Sequence, residues 1–173
     1  MDEVDYALDI GAKLLELVRS CNKSVKGFRS RAREMPQMVQ QLGLIPSLTF
    51  LLSKIDDKLL LPSIQYFVKG KGVGEKEKLC DEVEEEGYTS YLVVSFAWVK
   101  LKLNDIKFFD KCDFDESVDV VSYIKEDYIS TLKTLKNDGN LLANIEGSVL
   151  NLSIELKKIV DGVYGGEGDR RSS

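Results

Sequence analysis

The segment from Lys23 to Lys54 joins a basic stretch to an apolar one, which restricts how this part of the chain can fold. On a helix, with about 100° between successive residues, the basic stretch divides into two opposite faces. One face is apolar and must be buried, and it comprises Phe28, Ala32, Met35, Val39 and Leu42. The other face carries long hydrogen-bond donors, namely Lys23, Lys26, Arg29, Arg33, Gln37 and Gln40, whereas Arg31 fits neither face cleanly.

Two breaks divide this segment into separate elements. Pro36 lacks a backbone N–H, so it should kink the basic helix or begin a new one. Gly43 can adopt the left-handed conformation that ends a helix. The nearly all-apolar run 44–52 that follows predicts a core helix.

Apolar residues recur at helical spacing through most of the remaining chain. The predicted helices are 2–20, 59–68, 75–86, 118–135 and 145–163. The first of them either runs directly into the basic helix or breaks near Cys21, Asn22 and Lys23. The run YLVVSFAWV within 88–103 suits a buried strand by composition and a buried helix by length. Because no partner strand is evident for its hydrogen bonds, we predict a helix.

Together these helices predict an all-α fold, a compact bundle of about six to seven helices with short connections. At 173 residues the chain fits one domain, and we expect a single helical domain over 1–164. The Gly-rich polar end, 165–173, is predicted to be a disordered tail. The longest apolar stretch, 44–52, is too short to cross a bilayer, so we expect no membrane association.

Composition removes several classes of enzyme. The chain has no histidine, which excludes Ser-His and Cys-His nucleophile pairs and zinc sites built on histidine. Cys21, Cys80 and Cys112 are far apart and form no C-x-x-C pair, which predicts reduced thiols in an intracellular protein and no cysteine-rich metal site. We therefore expect no catalytic residue, no metal site and no cofactor.

Charge is segregated along the chain, although the net charge is −5. Between Ile10 and Arg33 the only acidic residue is Glu16, whereas 81–86 is almost wholly acidic. Local charge decides binding, so an acidic chain can still carry a phosphate-binding face. The alternative is that the basic face is simply solvated and keeps the protein soluble.

Two further clusters favour structural explanations over binding sites. The loop 69–74, with sequence KGKGVG, lacks the G-x-x-x-x-G-K-[ST] pattern, so we favour a surface linker over a phosphate-contacting loop. Asp110, Asp113, Asp115 and Glu116 lack the spacing of an EF-hand loop. We favour Asp115, Glu116 and Ser117 as the cap and first turn of the next helix over a metal site.

The string REMPQMVQQLGLIPSLTFLLSK, residues 33–54, resembles the small subunit of type III-B CRISPR (Cmr) effector complexes. In that family a basic helix runs into Leu-Pro-x-Met-Ile, and an Asn-Gly-Leu-type turn leads to a Thr-Leu-Ala-Phe-Leu helix that ends in Ser-Lys. Met35 stands for the first leucine, Val39 for the isoleucine and Leu42 for the polar residue before glycine. Pro46 and Ser47 occupy positions where small or polar residues are usual, and the likeness is faint outside this segment.

The resemblance implies a compact, cytoplasmic, non-catalytic subunit of an RNA-guided antiviral complex. Its implied partners are the other Cmr subunits, the crRNA and the target RNA, and it can self-associate into a minor filament. The implied RNA contacts are to the backbone, because base pairing reads the sequence. The residues assigned to RNA binding are Lys23, Lys26, Arg29, Arg31, Arg33 and Lys54. The alternative is a helical protein–protein adaptor whose basic face meets an acidic protein surface.

Overall fold

The computed structural model describes residues 1–72, 74–105, 107–111 and 119–171, with the side chains of 111 and 164–171 outside the description. Within these ranges the chain forms nine α-helices and one π-helical segment, and no strand. The helices are α1 Glu3–Cys21, α2 Lys26–Leu42, α3 Leu44–Leu52, α4 Asp57–Ser63, α5 Lys76–Glu85, α6 Tyr88–Lys102, α7 Lys107–Lys111, α8 Val120–Asn137 and α9 Gly139–Arg171. The π-helical segment, Ile64–Val68, continues α4.

The all-α prediction is confirmed, but six to seven helices was too few for the described part of the chain. The clearest addition is α7, which lies between the predicted helices 88–103 and 118–135. Phe108 fixes this short helix, because its buried ring lies 5.8 Å from the ring of Tyr128, measured between centroids. Five residues are too few to show a period, so sequence pattern does not reveal this helix.

Helix α6 lies at the centre of the core. Every residue from Thr89 to Lys100 is buried. A helix that is apolar on all sides has to be covered on all sides. Helices α2, α3, α4, α5 and α9 all contact it, and the ring of Phe96 stacks on Tyr128 of α8 at 3.9 Å. The helix prediction for YLVVSFAWV is therefore confirmed.

Helix α9 packs against both α1 and α2. Arg29, near the start of α2, bonds to Asp161, and the N–H of Leu44, just past its end, bonds to Glu146. These two pairs show that α2 and α9 run antiparallel. Helix α1 ends at Asn22, which has a φ of 52°, so the chain breaks between α1 and α2.

Pro36 and Gly43, the two predicted breaks in the segment from Lys23 to Lys54, behave differently in the structure. Helix α2 continues through Pro36, so the proline does not begin a new helix. Gly43 separates α2 from α3 with a φ of 88°. Its ψ of 167° is extended, so the residue has the predicted positive φ without the left-handed helical conformation.

Cys21 and Cys80 form a disulfide that joins the end of α1 to α5, with their Cα atoms 6.4 Å apart. The prediction of free thiols is therefore wrong for these two residues. They are 59 residues apart in sequence, and only the packing of α5 against α1 brings them together. Cys112 lies outside the described residues.

Two other sequence predictions fall partly or wholly outside the described residues. Asp113, Asp115 and Glu116 lie in the undescribed stretch 112–118, and the described helix α8 begins after Asp119, whose side chain accepts from the N–H of Ser122. The tail 165–173 has no described side chains, so its boundary stays a prediction. None of the helices, among the residues described, is long and apolar enough to cross a membrane.

A close approach of two glycines locks α2 to the turn between α5 and α6. Gly87 has a φ of 73°, and a Cβ placed on it would lie 2.4 Å from the backbone nitrogen of Phe28. A Cβ on Gly27 would lie 2.6 Å from the backbone nitrogen of Glu86. Neither neighbour is a flexible side-chain end, so both positions require glycine.

Replacing Gly27 with alanine should therefore force the two backbones apart. We expect Gly27→Ala to lower the free energy of unfolding by about 1–3 kcal/mol, the usual cost of overpacking. Chemical denaturation monitored by circular dichroism measures this. Gly147→Ala, at an exposed position of α9, is the control, since a Cβ there meets no other atom within 4 Å. It should be neutral or stabilise by about 0.5–1 kcal/mol, and equal losses in both variants would contradict this packing.

The buried carboxylate of Glu82 caps the start of α6. Its Oε1 accepts hydrogen bonds from the N–H groups of Thr89, at 2.8 Å, and Ser90, at 3.3 Å, whereas Oε2 has no partner among the described residues. Burial raises the pKa of Glu82 to about 7, although the hydrogen bonds from Ser90 and Thr89 act to lower it. In the folded chain Glu82 therefore stays mostly protonated until the pH approaches about 7.

The raised pKa predicts that this residue destabilises the fold as pH rises from about 4.5 to about 7. The folded state resists ionisation that the unfolded state accepts, and the loss over that window is on the order of 1–3 kcal/mol. Glu82→Gln should remove this part of the pH dependence, as shown by urea unfolding at pH 5 and pH 8. Glu85→Gln, an exposed change on the same helix, should leave the pH dependence intact. Identical pH profiles for native protein and Glu82→Gln would contradict the assignment.

Candidate nucleic-acid interface

Helix α2 presents the two faces that its sequence pattern predicts. Phe28, Ala32, Met35 and Val39 are buried, and the ring of Phe28 lies 5.2 Å from that of Tyr91 in α6. The prediction is wrong for Leu42, the last residue of α2, which is 60% exposed. The outward face contains Lys26, Arg33, Gln37 and Gln40, all of them exposed. Burial of the apolar stripe against α6 thus fixes which α2 side chains face outward.

Two arginines of this helix share one carboxylate on α9. The Nε atoms of Arg29 and Arg33 donate to Oδ1 of Asp161 at 2.9 Å and 3.1 Å. The Arg29 side chain is 17% exposed and that of Arg33 is 50% exposed. Burial opposes ionisation of Asp161, but the hydrogen bonds and charges of the two arginines hold its pKa below the usual range. One carboxylate thus positions two guanidinium groups along the α2–α9 boundary.

Positive charge on this boundary exceeds the charge of the shared carboxylate. Lys26 makes no ion pair within the described part of the chain and is exposed. Lys157 is also exposed and lies one helical turn before Asp161, so it belongs to the same side of α9. Together with the arginines these lysines form what we call the α2 basic face, defined as Lys26, Arg29, Arg33 and Lys157.

Arg31 lies on the other side of α2, away from α9. Its guanidinium carbon is 4.0 Å from the centre of the Tyr88 ring, and its Nη2 is 3.3 Å from Oε1 of Glu34. The side chain is only 14% exposed, and its buried Nε has no hydrogen-bond partner among the described residues. This environment suits a residue that packs against the start of α6.

Lys54 follows α3 and continues the aromatic contacts that begin at Arg31. The ring of Tyr88 meets the ring of Phe50 edge-on at 6.1 Å, and Nζ of Lys54 lies 5.8 Å from the centre of the Phe50 ring. Lys54 is exposed, and Phe50 is 37% exposed. Arg31 and Lys54 are thus linked through two aromatic rings, separately from Arg29 and Arg33.

Lys23 contacts the acidic helix α5. It forms an ion pair with Asp81, and the N–H of Ser24 donates to Oε2 of Glu84 at 2.6 Å. Two members of the acidic run 81–86 are therefore engaged within the molecule, beside the start of α2. A carboxylate at a helix N-terminus is favourable because the helix dipole is positive there.

The six residues predicted to bind RNA thus fall into three places: Arg29, Arg33 and Lys26 on the outward face of α2, Arg31 with Lys54, and Lys23 against α5. Asp161, Lys157 and Tyr88 were not predicted to be part of this surface. Asp161 is 128 residues from Arg33 and carries no local signal for this pairing. The amphipathic period of α9 indicates only that the helix packs, and does not say against which neighbour.

Comparison with known proteins gives one match. The family model described as CRISPR-associated protein (Cas_Cmr5) matches residues 6–100, which is more than half of the chain. The matched range runs from α1 to α6 and includes all of α2. No curated protein and no solved structure matches the chain.

The shared carboxylate yields a stability prediction. Asp161→Asn should lower the free energy of unfolding at pH 7 by less than about 1 kcal/mol, because partly exposed ion pairs contribute little. The lowered pKa means that the native contribution is present at neutral pH and is lost as pH falls toward 3. Denaturation at pH 7 and pH 3 tests this, with a smaller difference between variant and native protein expected at pH 3. A constant difference would show that Asp161 acts through packing alone.

Proposed function

Because the chain belongs to the Cas_Cmr5 family of CRISPR-associated proteins, small subunits of the Cmr (type III-B) complex, we propose that it contacts the backbone of the guide or target RNA through the α2 basic face. Membership of the family implies the other Cmr subunits as its partners. In this proposal the subunit packs beside its neighbours in a minor filament and cleaves nothing itself.

The pairing of Arg29 and Arg33 on Asp161 is the observation that supports the proposal most. Arg33 uses only its Nε for Asp161 and is half exposed, so its two terminal NH2 groups remain for an incoming acceptor. Planar guanidinium groups match phosphate oxygens, and a fixed guanidinium loses less freedom on binding. Asp161 therefore holds the arginines in position without neutralising the whole face.

The arrangement suits contact with a backbone rather than reading of bases. The exposed α2 residues that flank the arginines are lysine and glutamine, which donate to phosphate or sugar oxygens. RNA-guided complexes leave sequence recognition to base pairing, so a subunit beside the duplex needs only backbone contacts. A few contacts per copy are weak alone and gain strength when copies are repeated along one RNA.

The non-catalytic part of the proposal is supported by the composition. The sequence contains no histidine, and no cluster of metal-ligating side chains occurs in the described ranges. Cleavage of the target RNA is accordingly assigned to other subunits. Among the residues that the structure describes, no hydrolytic mechanism can be assigned to named side chains.

The alternative, an adaptor without direct RNA contact, is supported by an exposed apolar stripe on α1. Val4 and Leu8 lie one turn apart and are 46% and 52% exposed. Met1, which lies at the same end of α1, is 77% exposed. Such a stripe fits a neighbouring subunit better than RNA. Under this alternative α1 would account for incorporation, and the α2 basic face would make no contact with RNA.

The experiment that separates these functions reverses charge on the α2 basic face. The double variant Lys26→Glu, Arg33→Glu should weaken RNA binding by the reconstituted complex in low salt. Each lost phosphate contact should reduce the slope of log K against log salt by roughly 0.7–0.9. Fluorescence anisotropy with labelled target RNA, over a series of salt concentrations, measures both quantities.

The matched control is Lys133→Glu, Lys136→Glu, which makes the same charge change on exposed positions of α8. It should leave the salt slope unchanged. If the α2 double variant is incorporated and binds RNA like this control, the adaptor function replaces the proposed one. Val4→Ser, Leu8→Ser tests that alternative directly, because it should prevent incorporation only if α1 is the docking surface.

A further inference from the structure

The disulfide between Cys21 and Cys80 closes a long loop that contains α2. It joins the last residue of α1 to the middle of α5, and the chain between its ends forms α2, α3, α4 and the π-helical segment. Cys80 is 2% exposed, whereas Cys21 is only partly buried. The bond therefore restrains the interior of the fold and is accessible from the Cys21 side.

Two polar contacts accompany the disulfide at the same place. Lys23 forms an ion pair with Asp81, and the N–H of Ser24 donates to Oε2 of Glu84 at 2.6 Å. The side chains of the ion pair are 40% and 43% exposed, so solvent weakens their attraction. The connection between α1 and α2 is thus held to about one turn of α5, and the disulfide is the covalent link among these three contacts.

The start of α2 depends on this attachment, because its own sequence does little to stabilise it. Val25, at the N-cap, makes no side-chain cap hydrogen bond among the described residues, and the first turn contains no acidic residue. Both features normally stabilise a helix start. A backbone bond of the first turn runs from the N–H of Arg29 to the carbonyl oxygen of Val25, at 2.9 Å. Loosening the connection should open this bond more often and release Lys26, the first member of the α2 basic face.

Thiol–disulfide exchange can reach the bond from the Cys21 side. The thiolate of a small thiol, such as glutathione, attacks the sulfur of Cys21, forms a mixed disulfide and releases the Cys80 thiolate, which takes up a proton. A second glutathione thiolate attacks the glutathione sulfur of the mixed disulfide, which frees Cys21 to take up a proton and yields oxidised glutathione. Two electrons pass from two glutathione molecules to the protein, and the reverse sequence re-forms the bond. The sulfur of Cys80 lies 4.0 Å from the carbonyl oxygen of Leu17, so the buried thiol has an acceptor nearby.

We propose that Cys21 and Cys80 form a reversible redox switch, in which the disulfide state holds the start of α2 and the dithiol state loosens it and weakens binding through Lys26. An RNA-guided complex acts inside cells, where thiols are kept reduced and a disulfide is usually transient and redox-sensing. Exposed disulfides are also the ones that exchange readily. The effect on RNA binding rests on the proposed function, whereas the exchange and the loosening of α2 do not.

The first test measures the exchange in the full chain. Cys112→Ser removes the third thiol, and the protein is equilibrated with mixtures of reduced and oxidised glutathione, alkylated and weighed by mass spectrometry. We expect one transition from disulfide to dithiol, in which both thiols appear together, as the share of reduced glutathione rises. A bond that persists in reduced glutathione alone, or that never forms in oxidised glutathione, would overturn the proposal.

Hydrogen exchange then tests whether the bond holds α2. In the dithiol form the amide of Arg29 should exchange about tenfold faster, because local opening becomes easier. The amide of Tyr123, which makes the same kind of bond to Asp119 in the first turn of α8, is the control and should be unchanged. The melting temperature should fall by roughly 5–15 °C, because a disulfide around a long loop restricts the unfolded chain. Equal exchange at Arg29 in both forms would contradict the switch, even with a lower melting temperature.

RNA binding by the reconstituted complex tests the functional part. The disulfide form is compared with Cys21→Ser, both in the Cys112→Ser background, so the thiols of other subunits stay untouched. The disulfide form should bind about threefold more tightly, since one phosphate contact is affected, and the difference should vanish when both forms also carry Lys26→Ala.

The outcomes separate the switch from the proposed function. If RNA binding through α2 is absent in both forms while exchange at Arg29 still responds, the proposed function fails and the hold on α2 stands. If RNA binds through α2 with equal affinity in both forms, the control of binding by this disulfide is overturned.

Discussion

Burial of α6 on every side is the constraint on which the rest of this structure depends. The core helix is buried on all sides, and it is covered by α2, α3, α4, α5, α9 and the π-helical segment, together with Tyr6 of α1 and the stacked ring of Tyr128. Helix α2 meets this requirement with one apolar stripe, and the glycine contact between Gly27 and Gly87 brings it close. Because the apolar stripe of α2 has to face the core, its basic side has to face outward, where it can bind a partner.

Acidic residues on neighbouring helices then decide what the basic side can do. Asp161 holds Arg29 and Arg33 at the α2–α9 boundary, whereas Asp81 and Glu84 engage the start of α2 and its flanking lysine. An acidic chain with a net charge of −5 therefore still presents an ordered set of cationic donors. Its carboxylates position the donors as much as they oppose them, and the uncompensated charge remains with Lys26, Arg33 and Lys157.

Sequence pattern predicted what depends on local periodicity and missed what depends on long-range packing. The two faces of α2 follow from residues three and four apart, so they were predicted correctly except at Leu42, which is exposed at the end of the helix. The Cys21–Cys80 disulfide and the Arg33–Asp161 pair join residues that only the tertiary fold brings together. Arg31 fitted neither face of the helical pattern. In the structure it stacks on Tyr88, whose position is set by α6. The six basic residues were assigned to RNA binding as one group, and the packing separates them into three places.

Photocrosslinking from the middle of the outward face of α2 tests directly whether this face contacts RNA. A photoreactive amino acid at Gln37, which is exposed, would be compared with the same group at Glu126, which is exposed on α8. If the α2 basic face contacts RNA, we expect crosslinks to RNA from position 37 and none from position 126 in the assembled Cmr complex with guide and target RNA bound. Crosslinks from position 37 to protein alone, or equal RNA crosslinking from both positions, would contradict it.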